Sequence, residues 1–236
     1  MKKTIFALLG ACLAVLAGCG EPTTGAGKSA HILAMGDSML AWNRADDMAI
    51  ADQVEKILGQ PVIDRSVVGA HVIYQLPVSG KMGMKIVNQY RPGDWDWVIL
   101  NGGGNDLWLG CGCARCEHRM DKLVARDGRS GDIVNMVSMI RATGARVVYL
   151  GYLRSPGFGS PIEHCHDEGD ELDRRLVKMA AADPGVFFVP LSDLVPSGNR
   201  SFHDFDHIHP SVKGSTAIGA RVAAVIKAAG PARGAN

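Results

Sequence analysis

Five short, nearly continuous apolar runs recur along the chain with helical patterns among them. The runs are "HILAM" (31–35), "PVIDRS" (61–66), "DWVIL" (96–100), "RVVYLGY" (146–152) and "VFFVP" (186–190). A strand with one wet face alternates apolar and polar residues. Unbroken Val, Ile and aromatic runs instead predict strands buried on both faces, as in a parallel sheet covered by helices. "ADDMAIADQVEKIL" (45–58) sets Met48, Val54, Ile57 and Leu58 on one helical face and stops at Gly59. "GDIVNMVSMIRATG" (131–144) spaces Ile133, Met136, Val137 and Ile140 in the same way and stops at Gly144. "EGDELDRRLVKMAAAD" (168–183) and "SVKGSTAIGARVAAVIKAAG" (211–230) complete the set, with 79–91 a weaker helix interrupted by Gly80 and Gly83. Strands and helices alternating through short links predict an α/β, doubly wound parallel sheet. In such sheets the chemistry gathers beyond the carboxyl ends of the strands.

The N-terminus predicts export. "MKK" is a basic start, and "TIFALLGACLAVLA" is an apolar run too short to span a bilayer comfortably, ending in "LAGC", Leu16 to Cys19. That ending resembles a bacterial lipobox. It implies a signal peptide over 1–18, Cys19 as the lipidated mature N-terminus and membrane anchor, and a place in the cell envelope. Gly20 follows Cys19, where an Asp would mark inner-membrane retention, so the expected site is the outer membrane facing the periplasm. Residues 19–30 form a Gly- and Pro-containing tether, 31–230 a single domain and 231–236 a C-terminal tail. The 25 Lys and Arg nearly balance the 24 Asp and Glu with no basic run, which argues against a nucleic-acid partner. Nothing in the sequence speaks to oligomeric state.

"GDS", Gly36 to Ser38, follows the first strand. Gly, Asp and Ser are ordinary turn and N-cap residues, so the tripeptide acquires meaning only from partners. A serine hydroxyl needs an adjacent base to act as a nucleophile. In "DFDHIHPSVKG" Asp206 and His209 stand three apart before the last helix, a spacing at which the carboxylate reaches the imidazole and orients it. An oxyanion needs donors, each contributing ~3–4 kcal/mol in the serine hydrolases probed. "NGGGNDLW" follows the third strand and offers Asn105, "SVVGAH" follows the second and offers Gly69, and the Ser38 amide is a third donor.

These four segments resemble the blocks of the SGNH/GDSL hydrolase family, over about residues 31 to 228. "GDS" matches the first block, "DRSVVG" is similar to the second, and "GGND" and "DHIHPS" match the third and last. The resemblance implies a flavodoxin-like three-layer α/β/α sandwich around a five-stranded parallel sheet. It also implies hydrolysis of a carboxylic ester or thioester by Ser38, Asp206 and His209, with Ser38, Gly69 and Asn105 forming the oxyanion hole. No metal or cofactor is required. The implied substrate is a small ester or an acylated glycan or lipid. Met39 replaces the leucine of the family name, and Asp64 sits where many relatives carry asparagine. If buried, Asp64 needs a partner.

Beyond Cys12 and Cys19, four cysteines remain: Cys111, Cys113 and Cys116 in "CGCARCEH", and Cys165 in "IEHCHDE". In an oxidising compartment an even number reads first as two disulfides, with Cys165 joined to one of the three and the other two paired locally. A zinc site using His118, His164 or His166, and a redox Cys113-x-x-Cys116 pair, are the rivals. Trp95 and Trp97 read as packing residues and Trp108 as a substrate contact. Arg154 reads as the partner of a nearby carboxylate. A different class of function is a non-catalytic or metal-binding envelope lipoprotein on a retained hydrolase fold.

Overall fold

A computed structural model describes residues 29–157 and 159–230. The expected signal peptide, Cys19 with its expected lipidation, most of the expected tether and the 231–236 tail lie outside them. The strands are β1 (Ile32–Met35), β2 (Val62–Asp64), β3 (Trp97–Leu100), β4 (Arg146–Leu150) and β5 (Val186–Val189). They form one sheet in the order β2-β1-β3-β4-β5, all neighbours parallel. The helices are α1 (Ser38–Ala41), α2 (Ile50–Leu58), α3 (Pro77–Ser79), α4 (Gly104–Cys111), α5 (Glu117–Leu123), α6 (Asp132–Arg141), α7 (His166–Ala181) and α8 (Val212–Ala228).

Successive strand residues point to opposite sheet faces, and this divides the core in two. Leu33, Met35, Val98, Leu100, Val147 and Tyr149 pack with α4 to α7, chiefly on Ile133 and Ile140 of α6 and Leu172 and Leu176 of α7. Ile32, Ala34, Ile99, Val148 and Leu150 pack with α1, α2 and α8 on the other face, through Ile50, Val54, Ile218 and Val222. Both faces are dry, which is why the runs are continuously apolar. Helices α2 and α8 approach closely because Gly219 has no side chain; a Cβ there would lie 2.5 Å from Gln53 Cβ. Among the described residues, no helix is long and apolar enough to cross a membrane.

Three expectations change. The 79–91 segment is not one helix: α3 runs into a wide turn over Gly80–Met84, Gly83 adopts φ +104°, and a separate 3-10 turn covers Ile86–Gln89. Residues 45–49 do not join α2; Asn43 and Asp47 are left-handed and bracket a 3-10 turn at Arg44–Asp46. Ile57, expected on the inner face of α2, is partly exposed at 38 %.

Candidate active site

Chain reversals beyond the carboxyl ends of β1, β2 and β3 and the segment entering α8 meet at one end of the sheet. At the β1 end, Asp37 rather than Ser38 caps α1, its Oδ1 accepting from the Met39 N–H at 3.0 Å. Ser38 is therefore the first helical residue, so its N–H has no intrahelical acceptor. Gly36 is obligatory: a Cβ there would fall 1.8 Å from Asn101 Oδ1. Asn101, at the end of β3, returns its amide to Asp37 Oδ1 at 2.7 Å, and the Tyr152 hydroxyl donates to Asp37 Oδ2 at 2.5 Å. The turn bearing Ser38 is thus clamped from β3 and from beyond β4.

Ser38 Oγ lies 2.7 Å from His209 Nε2, and His209 Nδ1 lies 2.5 Å from Asp206 Oδ2. Asp206 Oδ1 also accepts the backbone N–H groups of Ile208 and His209 at 2.9 and 3.0 Å. Burial works to raise the Asp206 pKa, but the bonds from the His209 ring and those two amides outweigh it and hold the carboxyl below its ordinary value. The three residues expected to act together are in hydrogen-bonded sequence.

Asn105 sits in the first turn of α4, and its Nδ2 donates to Ala70 O at 2.9 Å. An amide nitrogen carries two N–H groups, so one remains. Gly69 precedes Ala70 in a left-handed turn (φ +76°) and lies outside the walls of the cavity beside Ser38, unlike Asn105. The turn is anchored from below by Asp106, whose fully buried carboxylate accepts the N–H groups of Val72 and Ile73, each at 2.9 Å. Asp64 has the partners it needs: Arg44 Nη2 at 2.7 Å, and Ser66 N and Oγ at 2.9 and 2.6 Å.

The sequence did not single out Trp42. Its indole stacks on the His209 imidazole, with ring centroids 3.8 Å apart and planes 7° apart, and its Nε1–H donates to Asp204 at 2.7 Å. The available signal was its place four residues after Ser38, one helical turn on.

A cavity of about 140 Å³ opens beside Ser38. Its apolar wall includes Leu107, Trp108, Leu153, Ile162 and Leu172, together with Cys113 and Cys165. Cys113 is bonded to Cys165 and Cys111 to Cys116, so α4, the loop before α5 and the start of α7 are joined along one side. His164 lies near the Cys113 and Cys165 sulfurs, but in a disulfide neither is a thiolate ligand. Arg154 is held by Asp170 at 2.7 Å and Asp173 at 2.8 Å. Trp97 is buried beneath Arg146, and Trp95 donates to Arg91 O, so both serve packing.

The GDSL-like lipase/acylhydrolase family model matches residues 34–217, from β1 into α8. A GDSL-like lipase from Bacteroides thetaiotaomicron is 20% identical, covering 84% of this chain and 88% of its own, with a TM-score of 0.59. A carbohydrate acetylesterase from Sinorhizobium meliloti is 16% identical, over 85% of this chain and 99% of its own, at a TM-score of 0.60. A carbohydrate esterase family 2 enzyme of Corynascus thermopiles is 17% identical, over 89% of this chain and 68% of its own, at 0.57. No curated protein matches the chain. At these identities the solved structures establish the shared fold, while the family match spans Ser38, Gly69, Asn105, Asp206 and His209. The chain belongs to the GDSL-like lipase/acylhydrolase family and is a hydrolase of ester bonds.

Proposed function

We propose that the domain cleaves esters or thioesters of short, uncharged acyl groups through an acyl-Ser38 intermediate. The unbroken run from Ser38 Oγ through His209 to Asp206, at 2.7 and 2.5 Å, carries this reading. His209 takes the Ser38 proton as Oγ bonds to the acyl carbon. It then gives that proton to the departing alcohol or thiol as the tetrahedral centre collapses. Asp206 holds the ring and stabilises its charged form. The Ser38 N–H and the second Asn105 N–H serve as donors to the developing oxyanion, whereas Gly69, outside the cavity walls, shapes the turn whose Ala70 carbonyl holds the Asn105 amide. Water, activated by His209, then releases the acid and restores Ser38.

The cavity favours a compact acyl group. Its volume is close to that of an engineered apolar cavity of about 150 Å³ that holds benzene. An acyl chain of about six carbons fills such a space, and the polar part of the substrate stays outside. In the cell the enzyme acts in the envelope, tethered through a lipidated Cys19, on an acylated glycan, lipid or small ester. Ser38→Ala tests the chemistry: p-nitrophenyl acetate turnover should fall by about 10³-fold or more. A fluorophosphonate probe should label the wild type and not the variant. Undiminished turnover by Ser38→Ala would refute the proposal.

A further inference from the structure

Outside the catalytic end, one surface departs from the rest of the chain in both charge and polarity. Residues 65–93 contain no Asp or Glu, although the two charge signs balance over the whole sequence. They carry Arg65, Lys81, Lys85 and Arg91. None of these four has a carboxylate within ion-pair distance among the described residues, whereas nearby Arg44 is paired to Asp64. Arg65, Lys81, Met82 and Arg91 line one polar cleft, which the Arg44–Asp64 pair also lines. Burial and the neighbouring Arg91 charge both disfavour the Arg65 cation, and the one carboxylate of the cleft, Asp64, is taken up by Arg44, so three cations of the cleft exceed its acids.

The same segment displays aliphatic side chains. Leu76 is 64% exposed, Val78 74% and Met82 67%. With Val68, they make four of the ten exposed large hydrophobic residues among the described residues. Val78 and Met82 are four apart in the helical stretch from α3 into the wide turn, so they share a side, with Lys81 next to them. Val67 and Gly83 are in contact distance, which brings the Val68 strand exit beside this turn.

We infer that this face, residues 65–91, docks on a bilayer containing anionic phospholipid. Val78 and Met82 enter the boundary between headgroups and acyl chains, and Arg65, Lys81 and Arg91 receive the headgroup phosphates. Exposed apolar side chains and cations without ion-pair partners are the two contributions that bind interfacial segments to such membranes. Charge complementarity selects an anionic partner. The exposed aliphatic tips match the acyl-chain boundary of such a bilayer, and Lys81 beside them matches its headgroups. The contact does not depend on the catalytic reading. It would add a second attachment to the one expected at Cys19.

Residue-specific lysine labelling tests the contact in the full chain. Protein bound to vesicles of phosphatidylcholine alone is compared with protein bound to vesicles of equal parts phosphatidylcholine and phosphatidylglycerol, using a water-soluble acetylating reagent and peptide mass analysis. Labelling of Lys81 should fall several-fold on the anionic vesicles, while Lys122, exposed on α5, stays unchanged. High salt, Val78→Glu with Met82→Glu, and Arg65→Gln with Arg91→Gln should each restore it. Val78, Met82 and Arg91 are exposed and Arg65 is half-buried, bonded to the Gln89 carbonyl, so circular dichroism verifies folding of each variant. The wild-type comparison of the two vesicles decides by itself. Equal Lys81 labelling on both, or equal protection of Lys122, would overturn the inference. So would protection by soluble polyglutamate that survives Val78→Glu with Met82→Glu, because the partner would then be an acidic polymer.

Discussion

Trp42 gives His209 more than a contact surface. In the proposed mechanism the imidazole becomes a cation as Ser38 attacks, lying flat against the indole, and aromatic faces stabilise such cations by about 0.5–2 kcal/mol. Asp204, accepting from the indole N–H, keeps that face in place. Trp42→Leu should therefore lower kcat by about 2- to 30-fold, the rate equivalent of that energy. KM should stay nearly constant and Trp42→Phe should recover part of the loss; steady-state kinetics on p-nitrophenyl acetate reads both. A second outcome concerns Asp206, whose folded-state pKa lies below that of the unfolded chain. A depressed carboxyl contributes stability that is fully present above its unfolded value, about 3.9, and is lost as pH falls through the folded value. The stability gap between wild type and Asp206→Asn should be level from neutral pH to about pH 5 and should shrink below about pH 4. Urea unfolding across that range measures it.

At the level of elements, the two disulfides are unequal. Cys113–Cys165 closes a separation of 52 residues and Cys111–Cys116 one of only 5. Loop-closure entropy assigns roughly 4 kcal/mol to the first and roughly 2 kcal/mol to the second. The guanidinium midpoint should thus fall further for Cys113→Ser with Cys165→Ser than for Cys111→Ser with Cys116→Ser. The long helices were legible because one face of each meets the sheet: Ile133, Met136, Val137 and Ile140 of α6 are all buried, as their spacing predicts. The short α4 and α5 were not. α4 begins with Gly104 and ends at Cys111, and only Asp106 and Leu107 of it are buried, so it carries no stripe to detect. The 79–91 pattern misled because a left-handed Gly83 ends the helical path within it.

Across the molecule, the cavity beside Ser38 draws its walls from α1, α4, the β4–α7 connection, α7 and the loop before α8. Acyl selection is a property of that assembly. On p-nitrophenyl esters of increasing length, kcat/KM should rise to an acyl chain of about six carbons and then fall. Ile162→Trp, which fills the outer wall, should move the maximum to acetate. Ser38, Asn105, Asp206 and His209 were legible because each follows a strand or precedes the last helix, in segments with recognisable residue patterns. The clamp of Asp37 by Asn101 and Tyr152 was not, because its members are 64 and 115 positions from Asp37 and bear no local mark of their meeting. The basic, aliphatic face over 65–91 was half legible: its missing acids can be counted in the sequence, but the exposure of its Val, Leu and Met cannot.

The cysteine pairing also bears on how the protein is made. Joining cysteines in the order they leave the ribosome would unite Cys111 with Cys113 and leave Cys116 for Cys165. The bonds present interleave instead, Cys111 with Cys116 and Cys113 with Cys165. A chain oxidised consecutively would need thiol exchange to reach this pairing, so a host rich in oxidant but poor in isomerase should accumulate chains whose pocket wall is wrongly stitched.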